Sequence, residues 1–333
     1  MTDFMKLENI GEFGLIEKIA KGTKTDRSVI KGIGDDAAVL EWTKDKYLLA
    51  TADMLIEGRH FKRGASPEKI GWKALCCGVS DIAAMGGEPR WAVVSCGLPK
   101  GLAVQYADRI YSGLKKAAGR FGVNIVGGDT NASDKIILDV TVLGEVKKED
   151  LVLRSGARTG DFIFVTGELG GSIRGKHLDF TPRLKESRIL VKNFKINSMI
   201  DLSDGLSSDL NHILEQSGVG AIVYDYLIPI SPHLNPLPSG ERKYRDISSP
   251  SPRRGEGRGE GESIHHALSD GEDFELLFTM SKKEGFKLLK AREKLFDIPV
   301  TRIGTITGKK FGVKIVDIFG RKRELTPRGF KHF

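Results

Sequence analysis

Six aspartates are the residues of this 333-residue chain whose types and positions best suit chemistry. Each stands at the end of an apolar run or beside glycines, and none has a lysine or arginine within two positions. A carboxylate in such surroundings is costly unless it is paired or bound to a cation. Because Mg²⁺ combines one or two carboxylates with waters and phosphate oxygens, this pattern predicts several Mg²⁺ ions and a polyphosphate ligand. The six are Asp36, Asp53, Asp81, Asp129, Asp201 and Asp204.

The segment GIGDDAAVL places two carboxylates side by side, at Asp35 and Asp36. Successive side chains of an extended segment point to opposite faces, so both cannot meet the same ion. One is therefore expected to bind metal while the other accepts hydrogen bonds from nearby backbone donors. The glycines before the pair let a phosphate or metal approach the backbone closely.

Some of these residues also have purely structural interpretations. Ser203 or Asp204 could cap the helix that follows, and Asp129 could be a turn residue after Gly127 and Gly128. Asp81 is harder to explain in that way, because it stands among small apolar residues within a helical pattern.

Gly170–Lys176 follow a strand-like segment and match the G-x-x-x-x-G-K pattern of a phosphate-binding loop. That loop needs a serine or threonine next, whose hydroxyl binds Mg²⁺, and the chain has His177 instead. Imidazole is a poor ligand for a hard cation. A P-loop ATPase that uses Lys176 stays as an alternative function.

The elements that must position the acids alternate between strands and helices, which predicts an α/β (α+β) fold with two lobes. The first lobe spans residues 1–149 and the second spans 150–333. Residues 231–263 are rich in Pro, Ser, Gly, Arg and Glu, and we interpret them as an insertion loop without a core. Strands are predicted at KYLLATADML, WAVVSCGL, NIVGG, KIILDVTVLGEV and DFIFVTGEL, and helices at SPEKIGWKALCCGVSDIAAMG, AVQYADRIYSGLKKAAGRFG and DLSDGLSSDLNHILEQSG.

Composition excludes several classes of protein. No apolar run is long enough to span a membrane, and no signal peptide is recognisable at the N-terminus. Cys76, Cys77 and Cys96 have neither metal-ligand spacing nor a disulfide pattern, which favours a cytoplasmic setting. The net charge of +8 is compatible with an anionic ligand. Glutamates offset the arginines of the insertion and no aromatic ladder accompanies them, so no nucleic-acid partner is expected.

Taken together, the motifs resemble the thiamine-monophosphate kinase family over nearly the whole chain outside the insertion. They occur in the family's order: GEFGLIEKI, GIGDDAAVL, TAD with GRHF, SDIAAMGGEPRWA, VGGDT, LRSGARTGD, IDLSDGLSSDL, GEDFELLF and GFKHF. The resemblance implies the fold of aminoimidazole ribonucleotide synthetase, with an N-terminal domain that forms a dimeric β-barrel and a C-terminal α/β domain. It also implies ATP- and Mg²⁺-dependent phosphorylation of thiamine monophosphate by a homodimer.

The resemblance also assigns residues to roles, none of them a catalytic acid or base. The implied magnesium ligands are Asp36, Thr51, Asp53, Asp81, Asp129, Asp201 and Asp204. The implied ATP contacts are Gly128, Asp129, Arg154, Ser203 and Tyr111. The implied contacts to thiamine monophosphate are His60, Glu272 and Phe330.

Three features depart from the family pattern. Ala52 replaces the usual serine or threonine before Asp53, Asp270 adds a charge near the expected thiamine pocket, and the segment 171–177 is shortened. Other ATP-dependent enzymes of the same superfamily stay as alternatives. Two of them use a reactive cysteine near the N-terminus or at the C-terminus, and this chain has neither.

Overall fold

The computed structural model describes residues 6–231 and 259–327, and these form two sheets flanked by helices. The first sheet has six strands in the order β1-β2-β3-β6-β4-β5, antiparallel except for the pair β4 and β5. Its elements are α1 (Leu7–Gly22), β1 (Val29–Lys31), β2 (Ala38–Glu41), β3 (Lys46–Ile56), α2 (Pro67–Ala84), β4 (Glu88–Leu98), α3 (Val104–Phe121), β5 (Asn124–Ala132) and β6 (Ile137–Lys147).

Alternation along the central strands gives the first sheet one buried face and one open face. On β6, Leu138, Val140 and Val142 are fully buried beneath α2 and α3, whereas the residues between them are only half-buried. α2 is buried along nearly its whole length, because it lies between this sheet and the second one. Within the described residues the sheet is open, and the strands do not close into a barrel.

The second sheet has seven strands in the order β13-β12-β9-β11-β7-β10-β8. Its strands are antiparallel except for the pair β12 and β9. The elements are β7 (Phe162–Thr166), α4 (Leu184–Asn193), β8 (Ser198–Asp201), α5 (Leu206–Ser217), β9 (Val219–Tyr224), α6 (Gly259–Ser269), β10 (Leu276–Met280), α7 (Lys282–Leu295), β11 (Val300–Gly308), β12 (Val313–Val316) and β13 (Lys322–Glu324).

The strands and helices expected from the sequence are confirmed, with two corrections. The expected loop 231–263 extends too far, because α6 begins at Gly259; most of that segment lies outside the described residues. The alternative interpretation of Ser203 or Asp204 as the cap of α5 is not borne out. The helix follows Gly205 with no side-chain cap, and the carboxylate of Asp209 instead accepts hydrogen bonds from the backbone N–H groups of Asp204 and Gly205.

No helix in the described part of the chain is long and apolar enough to cross a membrane.

Candidate active site

A cleft of about 760 Å³ lies between the two sheets and contains most of the residues singled out from the sequence. One side is formed by the loop before β2 and the part of β3 that β2 does not cover. The other side is formed by the turns that follow β8 and α6. The candidate site residues in its lining are Asp36, Thr51, Asp53, His60, Asp81, Arg154, Asp201, Ser203, Asp204 and Glu272.

Three carboxylates from distant parts of the chain meet at one end of the cleft. Asp36, Asp81 and Asp201 each offer an oxygen atom, and these oxygens all lie within 4.8 Å of one another. Asp36 comes from the loop before β2, Asp81 from the last turn of α2, and Asp201 from the end of β8. The grouping expected from the sequence is therefore confirmed for these three acids.

Neighbouring side chains orient the three carboxylates. The Thr51 hydroxyl donates to Asp81 Oδ2 at 2.5 Å, and the Ser80 hydroxyl donates to Asp201 Oδ2 at 2.6 Å. The Arg154 guanidinium donates twice to Asp36 Oδ1, at 2.6 and 3.1 Å. Arg154 is thus a largely buried partner of the acids rather than a surface charge.

The adjacent residues Asp35 and Asp36 have different partners, as the alternation of side chains along an extended segment predicts. Asp35 Oδ1 accepts hydrogen bonds from the backbone N–H groups of Asp36 and Arg154, both at 3.2 Å. Asp36 points instead into the acid cluster. The Asp35 side chain therefore fixes the loop that presents Asp36.

Burial makes ionisation of the clustered acids unfavourable. Desolvation raises the pKa of Asp36 to about 7, although the nearby Arg154 opposes this shift. Desolvation likewise raises the pKa values of Asp53 and Asp201 to about 6, and that of Asp81 rises well above its ordinary value. Oδ2 of Asp36 and Oδ2 of Asp53 are buried without a hydrogen-bond partner. Such a site favours a bound cation.

Asp204 belongs to a second group, with Asp209 and His212 of α5, whose ligand atoms lie within 4.8 Å of one another. Burial raises the pKa of Asp204 to about 6 and lowers that of His212 to about 4. Sequence analysis missed Asp209 and His212. Their spacing of three residues on one helix face was the available signal.

His60, Lys73, Glu272 and Phe274 line a further part of the cleft, where Glu272 lies near Asp53 and Asp204. The His60 ring accepts a hydrogen bond at Nδ1 from the backbone N–H of Ile56, at 3.0 Å. Glu272 and Phe274 have left-handed backbone conformations, with φ of 60° and 51°. Phe274 stacks on Phe180 with 3.9 Å between ring centroids, which helps to hold this turn in its strained conformation.

Two expected nucleotide contacts, Gly128 and Asp129, do not line this cleft. Asp53 is in register with Val140, then Val94, then Gly128, so Gly128 lies three strands away, about 14 Å at the usual strand spacing. Asp129 follows Gly128 and points to the open face, where it accepts hydrogen bonds from Thr130 and Asn131.

A third expected nucleotide contact, Tyr111, also lies outside the cleft. The Tyr111 hydroxyl lies 3.4 Å from Cys96 Sγ, on the helix-covered face. Phe330 lies outside the described residues.

The phosphate-loop interpretation of Gly170–Lys176 is wrong. The backbone N–H groups of Gly170 and Gly171 donate to the carboxylates of Asp273 and Asp270, so protein acids occupy the positions that phosphate oxygens would take. Lys176 lies 3.5 Å from Glu275, which also forms a two-point ion pair with Arg183. None of this segment lines the cleft described above.

The extra charge of Asp270 does not enter the cleft either. Its carboxylate binds His266 Nδ1 at 2.9 Å and the N–H of Gly171. The added charge is therefore held by His266 and Gly171, outside the lining of the cleft.

Comparisons with known proteins agree with this geometry. Residues 34–146 match the family described as AIR synthase related protein, N-terminal domain. Thiamine-monophosphate kinase of Aquifex aeolicus is 34% identical over 349 residues, covering 99% of this chain and 100% of that protein. That of Buchnera aphidicola subsp. Acyrthosiphon pisum is 35% identical, with 97% and 98% covered. Among solved structures, AaThiL complexed with AMPPCP and TMP is 33% identical with a TM-score of 0.80, and 100% of both chains is covered.

Proposed function

The chain belongs to the thiamine-monophosphate kinase family, and we propose that it transfers the γ-phosphoryl group of ATP in line to the phosphate of thiamine monophosphate. An oxygen of the acceptor phosphate forms a bond to the γ-phosphorus while the bond to the ADP oxygen breaks, which yields thiamine diphosphate. The observation that carries this proposal is the convergence of Asp36, Asp81 and Asp201 within 4.8 Å beside a buried arginine.

No general base is needed for this reaction. The acceptor is a phosphate monoester with a second pKa of about 6, so it is mostly dianionic near neutral pH. The obstacle is repulsion between two anions that must approach each other. His60 therefore has no proton to abstract and is left to orient the acceptor.

The acids fit a divalent cation on their own chemistry. Carboxylate oxygens are the ligands that Mg²⁺ prefers, and two buried oxygens here, on Asp36 and Asp53, have no hydrogen-bond partner. The residues proposed to hold Mg²⁺ in this cleft are Asp36, Thr51, Asp53, Asp81, Asp201 and Asp204. When bound, Mg²⁺ supplies positive charge that offsets the repulsion between the two phosphates.

The remaining cleft residues bind and orient the two substrates. Arg154 donates to Asp36 through Nε and one terminal nitrogen, and its remaining guanidinium N–H groups are available to the nucleotide phosphates. Ser203 lines the same cleft at the start of the turn after β8. His60 and Glu272 contact thiamine monophosphate.

The direct experiment is to incubate the protein with ATP, Mg²⁺ and thiamine monophosphate and to measure thiamine diphosphate by chromatography. We expect stoichiometric formation of ADP and thiamine diphosphate. The matched control is Asp201→Asn, which preserves the hydrogen bond from Ser80 but removes one carboxylate, and we expect it to be inactive. ATP hydrolysis without thiamine diphosphate in the wild-type protein would overturn the proposal.

We further infer a homodimer formed through the open face of the first sheet. This face carries Trp42, Met54 and Val126, which are 52%, 52% and 59% exposed. No helix of the described residues covers it. Met54 also lines the cleft, so a second chain on this face would form part of the site. Asp129 points to this same face. We therefore propose that the partner's Asp129 and the partner's Gly128 contact the nucleotide bound in the cleft.

Mixing two inactive variants tests this arrangement. In a shared site, a dimer of one Asp53→Asn chain and one Asp129→Asn chain contains one intact site. Random re-association would then restore up to about one quarter of the wild-type activity. Mixtures that stay inactive although chains demonstrably exchange would contradict it. The control is each variant re-associated with itself.

The three cysteines support a cytoplasmic setting for this reaction. Cys76, Cys77 and Cys96 are free, buried thiols, as expected in a reducing compartment.

A further inference from the structure

Lys73 is among the largest fully buried side chains of the described residues and has no part in the functions assigned above. It stands in the middle of α2, between Trp72 and Ala74, where the helix is buried on all sides. Lysine is almost never fully buried unless it is paired. Lys73 is the one charged residue in the apolar run IGWKALCCGV, and this isolation is the feature of the sequence that marks it.

The Lys73 ammonium joins three separate segments in the cleft. It donates to Glu272 Oε2 and, at 3.1 Å, to the backbone carbonyl oxygen of His60. Glu272 belongs to the turn after α6, whereas His60 belongs to the loop after β3. One cation thus connects elements of both sheets, and both of its partners are the residues proposed to contact the acceptor.

Glu272 needs such a partner for two reasons. Its backbone is left-handed, with φ of 60°, and its N–H is held by the Ser203 carbonyl oxygen at 2.7 Å. A strained residue keeps its conformation only when its surroundings hold it there. Glu272 also lies close to the acids. Desolvation is the main cause that raises the pKa values of Asp53 and Asp204, and the Glu272 charge raises them further. Without the ammonium, like-charge repulsion would favour other positions of the Glu272 side chain.

We propose that Lys73 is a positioning residue for the phosphoryl acceptor. It holds the Glu272 carboxylate and the His60 carbonyl in the arrangement that binds thiamine monophosphate, and it has no contact with the nucleotide. This inference rests on the proposed kinase function. It assigns Lys73 to recognition of the acceptor rather than to the transfer step.

Steady-state kinetics of Lys73→Met provide the test, with thiamine monophosphate and ATP varied separately. We expect KM for thiamine monophosphate to rise by about tenfold or more, while KM for ATP stays within about twofold. The matched control is Lys69→Met, one turn earlier on the same helix, whose ammonium pairs with Asp179 at the surface. We expect that variant to keep both KM values.

A double-mutant cycle separates positioning from general destabilisation. If Lys73 acts through Glu272, the variant combining Lys73→Met with Glu272→Gln should bind the acceptor no more weakly than the worse single variant. Should Lys73→Met fail to fold, Lys73→Gln retains a hydrogen-bond donor and is measured by the same criteria. Thermal midpoints of each variant with ADP and Mg²⁺ verify that the nucleotide end is intact.

The outcomes are distinguishable. An unchanged KM for thiamine monophosphate, or equal increases in both KM values, overturns the assignment of Lys73 while the kinase function stands. Additive effects in the double variant overturn its action through Glu272. A wild-type protein that forms no thiamine diphosphate overturns the proposed function itself.

Discussion

Replacing Asp53 by asparagine should stabilise the metal-free protein while abolishing its activity. Asp53 lies on β3 beside Asp81, with which it shares a hydrogen bond, and its Oδ2 is buried without a partner. An asparagine can keep this contact, because its carbonyl oxygen accepts a hydrogen bond from the Asp81 carboxyl, whose raised pKa keeps it protonated. The substitution therefore removes a buried charge and keeps the contact.

The magnitude follows from the shift in pKa. Desolvation raises the pKa of Asp53 from 3.8 to about 6, opposed by its hydrogen bond to Asp81. Since one pH unit corresponds to 1.36 kcal/mol, the ionised carboxylate lowers the free energy of unfolding by roughly 3 kcal/mol above pH 6. The folded-state pKa is the higher one, so the folded protein holds the proton more tightly. The cost of this carboxylate therefore develops as pH rises from about 4 to about 6 and is absent below that window.

Thermal unfolding in EDTA at pH 8 and pH 4.5 measures this difference. We expect Asp53→Asn to melt several degrees above the wild type at pH 8, since 1 kcal/mol corresponds to roughly 2–4 °C in a domain of this size. The gain should shrink at pH 4.5. Adding Mg²⁺ and ADP should raise the wild-type midpoint more than that of the variant. The control is Asp108→Asn, an exposed acid on α3, which should change neither midpoint.

A lower midpoint for metal-free Asp53→Asn at pH 8 would refute the reasoning. It would mean that the ionised carboxylate stabilises the fold without a cation, and that burial is not the dominant cost.

Three further outcomes follow from the site. Asp129→Asn should stay folded, because the Asp129 side chain is exposed and contacts only adjacent residues. If Asp129 binds a cation, turnover of this variant should fall by about 100-fold or more. Near-normal turnover would remove Asp129 from the site. Lys176→Ala should keep most of the activity, because Arg183 still pairs with Glu275; complete loss in the same product assay would restore the P-loop interpretation. Half-saturation by Mg²⁺ should need higher Mg²⁺ concentrations at pH 6 than at pH 8. The reason is that desolvation raises the pKa of Asp36 to about 7, so protons compete with Mg²⁺ for its oxygens. A half-saturating Mg²⁺ concentration that does not change with pH would contradict this competition.

The chemical character of the site could be predicted from local sequence. Acids flanked by small apolar residues and glycines are unusual on a surface, and this property depends only on neighbours along the chain. The division of work between Asp35 and Asp36 was also predictable, because alternation in an extended segment is a local rule. The same holds for α2, α3 and the long strands β3 and β6, whose periodic patterns are strong.

Local rules failed where two distant segments had to meet. A helix cap at Ser203 or Asp204 was reasonable by composition, but α5 follows Gly205 without a side-chain cap, and Asp209 binds the backbone N–H groups of Asp204 and Gly205. The glycine loop before His177 matches a phosphate-binding pattern, and the missing serine or threonine argued against that function. The structure adds what the sequence did not show, that Asp273 and Asp270 accept the hydrogen bonds from its N–H groups. Lys73 was visible in the sequence, but its partners Glu272 and His60 were not.

By itself, the sequence determined which side chains are able to hold cations, since that depends on residue type and immediate surroundings. Only the tertiary structure decided which of them share a site. Asp53 and Asp129 both follow apolar strand segments, but strand register places one on the covered face and the other on the open face. Register depends on pairing between residues far apart in the chain, and a shift of one position exchanges the faces.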